Sequence, residues 1–302
     1  MKKTLVAFGL LLVAYSAAAC DVCGCAVGGN SMGILPRFSK HFIGIRATHA
    51  SFISAHPTLF EGEEQKISKE YFTSTTLWGR YVPHKRIQVF AQIPYNYFVR
   101  EEDGQRTITE GLGDINLLAN YVVFNTTDSN KSTLKHSLQV GGGIKLPTGV
   151  FNKSENGDLL NINMQSGSGS YDVPINLLHT IRFKSFGINT ELRYTFNNAN
   201  PDRYELGDRF LASSRAFYWK NYRNITFLPQ VGVAFEHYGT DKDGRYEVDY
   251  TGGTMLQLDA GVDVYFYKWA MGAHLRNPIQ SNMGQGFVTP NAALTFNLMY
   301  LL

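Results

Sequence analysis

Gly111-Leu-Gly-Asp-Ile-Asn-Leu-Leu-Ala-Asn-Tyr-Val-Val-Phe124, a polar gap, and His136-Ser-Leu-Gln-Val-Gly-Gly-Gly-Ile-Lys-Leu-Pro-Thr-Gly149 form the stretch that decides the fold. Side chains of a β-strand alternate between its two faces with period 2. Leu138, Val140, Gly142, Ile144 and Leu146 therefore share one face, and Ser137, Gln139, Gly141, Gly143 and Lys145 share the other. The earlier segment repeats the pattern, with Ile115, Leu117, Ala119, Tyr121 and Val123 set against Asn116 and Asn120. One face is apolar and the other is polar or tiny.

The alternation continues from about residue 40 to the C-terminus in segments of roughly ten residues, the signature of a transmembrane β-barrel. Ile43, Ile45 and Ala47 oppose Gly44, Arg46 and Thr48; Ile188, Thr190, Leu192, Tyr194 and Phe196 oppose Asn189, Glu191, Arg193 and Thr195. Leu256, Leu258, Ala260, Val262 and Val264 oppose Gln257, Asp259, Gly261 and Asp263, and the last segment sets Leu294, Phe296 and Leu298 against Thr295 and Asn297. A soluble sandwich would alternate too, so the connections carry the distinction. Counting segments predicts an all-β, antiparallel barrel of about twelve strands. Short turns near 82–85, 184–186, 220–223 and 267–268 alternate with long loops at 55–65, 100–106, 149–167, 197–206, 238–253 and 280–286. Outer-membrane barrels have this asymmetry, with short periplasmic turns on one rim and longer extracellular loops on the other. An even strand count places both chain ends on the periplasmic side. The polar gap at 125–133 is the one long connection where a short turn is expected.

Composition agrees. Aromatic residues make up 13% of the chain, and many lie near segment ends, where interfacial girdles would need them. A mean hydropathy of −0.18 suits a barrel whose inner face is polar. A net charge of +3 is too slight to suggest a nucleic-acid partner.

At the N-terminus, Lys2 and Lys3, the apolar run Leu5 to Ala14 and Ala17-Ala18-Ala19 read as a secretory signal over 1–19. A cysteine-containing periplasmic segment over 20–37 precedes the barrel, 38–302. Cys20, Cys23 and Cys25 are the only cysteines. Cys20 is a candidate lipidation site, although Ala17 stands where bacterial lipoprotein signals usually have Leu. A disulfide suits an exported compartment, and three thiolates would also suit a soft metal such as copper or zinc.

Gly111-Leu-Gly-Asp-Ile with Leu117 and Tyr121, then Gly143-Ile-Lys-Leu-Pro-Thr-Gly149, together with Ile93-Pro94-Tyr95, resemble an outer-membrane β-barrel family named after the phenol meta-degradation pathway. The resemblance implies a barrel of Gram-negative outer membranes with a transport role, and it brings no catalytic residue with it. The final strand, with Tyr300 and Leu302, also resembles the signal read by the barrel-assembly machinery, without its usual terminal Phe.

Candidate lumen-lining residues are Arg46, Lys145, Glu191, Arg193, Glu236, Asp259, Asp263, His274 and Arg276. Both signs are present, so they serve either a narrow channel for a small solute or a salt-bridged filling that closes it. Gly141, Gly142 and Gly143 weaken a flat strand, and curvature of the wall is the favoured reading over room for a neighbour. Asp114 reads as a turn-fixing acceptor, and Asp241-Lys-Asp-Gly as a solvated turn. Gly29-Asn-Ser-Met-Gly33 matches a nucleophile-elbow pattern without the strand and helix that such an elbow needs, and the eight histidines are scattered. A non-catalytic barrel passing a small solute is the expectation. Its rival is a membrane-anchored binding protein whose cysteines capture a metal.

Overall fold

The computed structural model describes residues 41–58, 65–126, 133–155 and 157–302. The expected signal peptide, the cysteine segment and the Gly29–Gly33 match lie outside the described residues. Twelve antiparallel strands close into a barrel. They are β1 (Phe42–Ala55), β2 (Ile67–His84), β3 (Ile87–Glu102) and β4 (Gln105–Leu112, continued by Ile115–Asn125). Next come β5 (Leu134–Leu146), β6 (Val173–Phe183), β7 (Phe186–Phe196) and β8 (Arg209–Tyr218, continued by Lys220–Tyr222). The last four are β9 (Ile225–Tyr238), β10 (Gly253–Phe266), β11 (Trp269–Met283) and β12 (Val288–Pro290, continued by Ala293–Leu301). Each strand pairs with its neighbours in sequence, and β12 returns to β1 through Phe42↔Leu301 to His49↔Leu294. Closure leaves the sheet without a free edge.

The wall has the alternation read from the sequence. On β1, Phe42, Gly44, Arg46 and Ala50 are buried, while Ile43 and Ile45 are exposed. Ile188, Leu192, Val231, Val233, Leu258, Val262, Phe296 and Leu298 extend the exposed apolar band around the outside. A water-soluble protein would not leave a continuous apolar surface of this kind exposed; a lipid bilayer requires it.

The β3–β4 connection differs from the expectation of a long loop at 100–106. Both strands run on, and only Asp103 (φ 49°) and Gly104 (φ 75°) turn the chain. Positive φ at both central residues is what a tight two-residue hairpin turn requires. Glu101 pairs with Arg106 in register, so charges extend the hairpin where apolar alternation stops. At the gap between the two parts of β4, Pro94 of β3 has no N–H to donate, and its carbonyl accepts from Gly113 N at 2.8 Å. At the glycine triplet the neighbouring strand approaches closely. A Cβ on Gly141 would lie 2.0 Å from Asn120 Oδ1, and one on Gly143 would lie 2.0 Å from Leu117 O. These glycines make room for β4 and its side chains.

Val231→Arg, at an exposed mid-strand position, is expected to cost about 2–4 kcal/mol of stability in lipid vesicles. Arg at Tyr246, which is exposed on the loop rim, is expected to cost nothing measurable. Denaturant unfolding in vesicles checks both.

Candidate functional site: the barrel lumen and its inserted loop

The side chains that the strands turn inward form three layers. Toward the rim that carries the loops, Phe52, Phe72, Phe98, Tyr238, Met255, Met283 and Val288 form one apolar cluster. Toward the rim that carries the tight turns and both strand ends, Phe42, Trp78, Phe217, Leu228, Tyr265, Ala270 and Met299 form another. Charged and amide side chains fill the level between them.

The charged residues interlock. Arg209 Nη2 lies 2.7 Å from Glu236 Oε2, and Glu236 Oε1 lies 3.8 Å from Arg276 Nη1. Arg276 Nε lies 3.1 Å from Asp259 Oδ2, which Arg215 Nε approaches to 3.2 Å. Cation and carboxylate thus alternate along a five-residue chain drawn from β8, β9, β10 and β11. Tyr238 donates its hydroxyl to Glu236. Beside this chain, Arg193 Nη2 meets Glu191 Oε1 at 3.0 Å. Asp263 accepts from Gln230 Nε2 at 2.6 Å and lies 3.1 Å from His274 Nε2. Glycines leave the space for that contact: a Cβ on Gly272 would sit 2.1 Å from Asp263 Oδ1, and one on Gly261 would sit 2.3 Å from His274 Nδ1. Arg46 donates from Nε to Asn297 at 2.8 Å, and its guanidinium lies 4.1 Å from the Trp78 ring centroid. All nine sequence-named residues lie on the inward face of the wall, and Lys145 stands apart from the other eight. Arg209 and Arg215 belong to the same network, yet the alternation of β8 is faint because its outer face carries Phe210, Ala212, Ser214 and Ala216.

Lys145 belongs to a second cluster, which holds the β5–β6 connection inside the barrel. Its ammonium lies 3.2 Å from Asp114 Oδ2 and also contacts Asp172 and Ser168 Oγ. Asp114 accepts hydrogen bonds from Gly149 N at 3.1 Å, Ser168 N at 2.9 Å and Ser168 Oγ at 2.8 Å. Asp114 is therefore more than the turn-fixing acceptor expected. It ties the wall to both ends of a loop, a role that sequence proximity could not show. Thr148 Oγ1 donates to Gly113 O at 2.8 Å and accepts from Ile115 N at 3.0 Å. Gly149 and Gly167 pack so closely that a Cβ on either would come within 2.6 Å of the other. The Gly-Leu-Gly-Asp and Pro-Thr-Gly blocks, distant in sequence, meet at this joint.

From the joint the loop carries a single 3-10 turn, Ile162–Met164, into the barrel mouth. Met164 is 2% exposed and completes the apolar cluster at the loop rim. Beneath it lies a cavity of about 220 Å³, walled by β2 to β8 and by the loop at Ile162–Ser168. Its lining includes Thr76, Gln92, Asn116, Lys145, Arg193 and Arg209.

The other loops are tied to one another. Asp241 departs from the solvated-turn reading: it is 7% exposed and accepts from Tyr204 Oη at 2.8 Å and Gly207 N at 2.7 Å. Burial raises its pKa above the usual carboxylate range, and the hydrogen bond from Gly207 and then that from Tyr204 oppose the rise. At the loop rim, His56 Nε2 lies 3.1 Å from Ser68 Oγ, a contact that the scattered histidines did not suggest. Ser68 is fully buried and donates to Glu70 at 2.9 Å, and His56 Nδ1 has no hydrogen-bond partner. The serine proton is thus committed to a carboxylate, and the imidazole nitrogen that faces it is also met by Arg100 Nη2 at 3.2 Å and lies 3.8 Å from Glu102 Oε1, so the contact lacks the geometry of a nucleophile and base. Among the described residues no group of three or more His, Cys, Asp or Glu side chains forms a metal site.

No family model matches this sequence, and no curated protein matches it. Solved structures match its shape. An outer membrane channel from Pseudomonas putida F1 is 15% identical with a TM-score of 0.64, over 89% of this chain and 100% of that one. The beta domain of the Bordetella autotransporter BrkA is 11% identical with a TM-score of 0.51, over 87% of this chain and 100% of that one. At such identities the likeness is one of fold. The chain is a closed twelve-stranded transmembrane β-barrel.

Two outcomes test the lumen. Asp259→Asn leaves Arg215 and Arg276 short of a charge partner in a buried site, so it is expected to destabilise the barrel by about 3–5 kcal/mol, read as a lowered denaturation midpoint. Asp114→Ala is expected to free the β5–β6 loop while the barrel stays folded. Limited proteolysis should then cut between residues 149 and 167 several-fold faster than in the unaltered protein.

Proposed function

We propose that this protein is an outer-membrane channel of a Gram-negative bacterium that passes a small solute and is closed at rest by its own β5–β6 loop. In this reading the tight turns and both strand ends face the periplasm, the loops face outward, and the apolar outer band contacts lipid. The observation that carries it is the placement of Met164. A loop that crosses the mouth of a lipid-embedded barrel and completes an apolar cluster there acts as a stopper. It is hinged at the Asp114 joint rather than built into the wall.

Two further features support a pathway beneath the stopper. Between the two apolar clusters the inner face is polar and charged, which a purely structural plug does not need. The charges are also matched to one another, so the lumen has no fixed field of one sign to exclude either cations or anions, unlike filters built from rings of like charge. The likeness of fold to a bacterial outer membrane channel agrees with this reading.

Planar-bilayer recording tests it. The unaltered protein is expected to give small or infrequent conductance steps. A variant lacking residues 160–165 is expected to open to steps several-fold larger. A folded variant, recognised by its heat-modifiable gel mobility, that stays silent would overturn the proposal.

A further inference from the structure

The cavity beneath the loop has a wall whose chemistry is selective. Three cations line it, and each is already met by a carboxylate: Lys145 by Asp114 at 3.2 Å, Arg193 by Glu191 at 3.0 Å and Arg209 by Glu236 at 2.7 Å. Two neutral side chains of the lining have no partner. Gln92 is 1% exposed, and neither its amide nitrogen nor its amide oxygen has a hydrogen-bond partner. Ser166, on the loop side of the same cavity, has an unpartnered hydroxyl. Leaving such atoms buried and unmatched costs about 1–3 kcal/mol for each group, a cost that a bound molecule with complementary groups would remove. The neutral row continues toward the turn rim at Asn176, 6% exposed, where again neither amide atom has a partner.

We infer that the cavity is a binding site for an uncharged, polyhydroxylated solute of about monosaccharide size, an inference that rests on the channel reading above. An amide with both atoms free offers a donor and an acceptor side by side. That pair complements two vicinal hydroxyls, one accepting from the N–H and one donating to the carbonyl. A volume of about 220 Å³ corresponds to roughly seven waters at ~30 Å³ each. The apolar lining from Pro94, Phe98, Leu118 and Leu211 suits the C–H face of a sugar ring. An anionic or cationic solute of the same size would compete with the ion pairs that the three cations already make, whereas a neutral one leaves them intact.

The test is calorimetric titration of the full protein in detergent micelles with D-glucose, gluconate and glucosamine, alongside glucose flux from liposomes holding the same protein. Saturable glucose binding, with gluconate and glucosamine at least about tenfold weaker, is expected. Gln92→Leu should weaken glucose binding by about tenfold, the loss of one buried hydrogen-bonding group. Gln92→Asn, which keeps the amide, should retain part of the affinity and guards against a folding defect in the leucine variant. Glucose binding that is unchanged in a folded Gln92→Leu protein would overturn the site. A preference for gluconate or glucosamine would overturn the ligand class. Flux without saturable binding overturns this inference and leaves the channel reading standing. Saturable binding without flux, even after loop deletion, supports the site and overturns the channel.

Discussion

Closure of one hydrogen-bonded sheet is the constraint on which the rest of this molecule depends. In a bilayer no backbone donor or acceptor has water to turn to, so a strand edge left open is prohibitive. The pairing of β12 with β1 removes the last edge. Once the ring is closed, every second side chain points into a confined lumen, and whatever lies there must be satisfied by other lumen groups. The alternating run Arg209–Glu236–Arg276–Asp259–Arg215 follows from that confinement. In this run each buried charge finds opposite charge within reach, and removing one strands its neighbours.

The lumen is divided by chemistry as well as by level. Ion pairs concentrate on the arc from β7 to β11, whereas the arc from β3 to β6 presents mainly amides and hydroxyls: Gln88, Gln92, Asn116, Asn120, Gln139, Asn176 and Thr180. The inserted loop lies over this division. Its joint is built from short polar side chains and glycines because two backbones must approach within the reach of a single carboxylate. Asp114 provides that carboxylate, and Lys145, between Asp114 and Asp172, balances its charge. The joint anchors both ends of the loop, Asn96 Nδ2 donates to Ser166 O at 3.0 Å, and Met164 seats the tip in the apolar cluster.

Much of this was legible before any coordinates. The inward positions of Arg46, Glu191, Arg193, Asp259 and Asp263 follow from a rule that acts over two residues, and strand geometry enforces it locally. The same rule failed where its signal was weak. Arg209 and Arg215 were missed because small or polar residues share the outer face of β8. The β3–β4 hairpin resembles a loop in sequence because charged residues replace apolar ones where its strands continue. Asp241 read as solvated because its partners, Tyr204 and Gly207, lie in another loop.

Local alternation was therefore enough for class, approximate strand number and the facing of the wall, since each depends on neighbours within one strand. The partners of the lumen side chains were decided by stagger accumulated around the closed ring, which no single strand encodes. The same holds for the Asp114 joint, where residues 114, 149 and 168 meet only after β4, β5 and β6 are in register. It holds too for the inserted loop, whose place in the barrel mouth exists only once the barrel has closed around it.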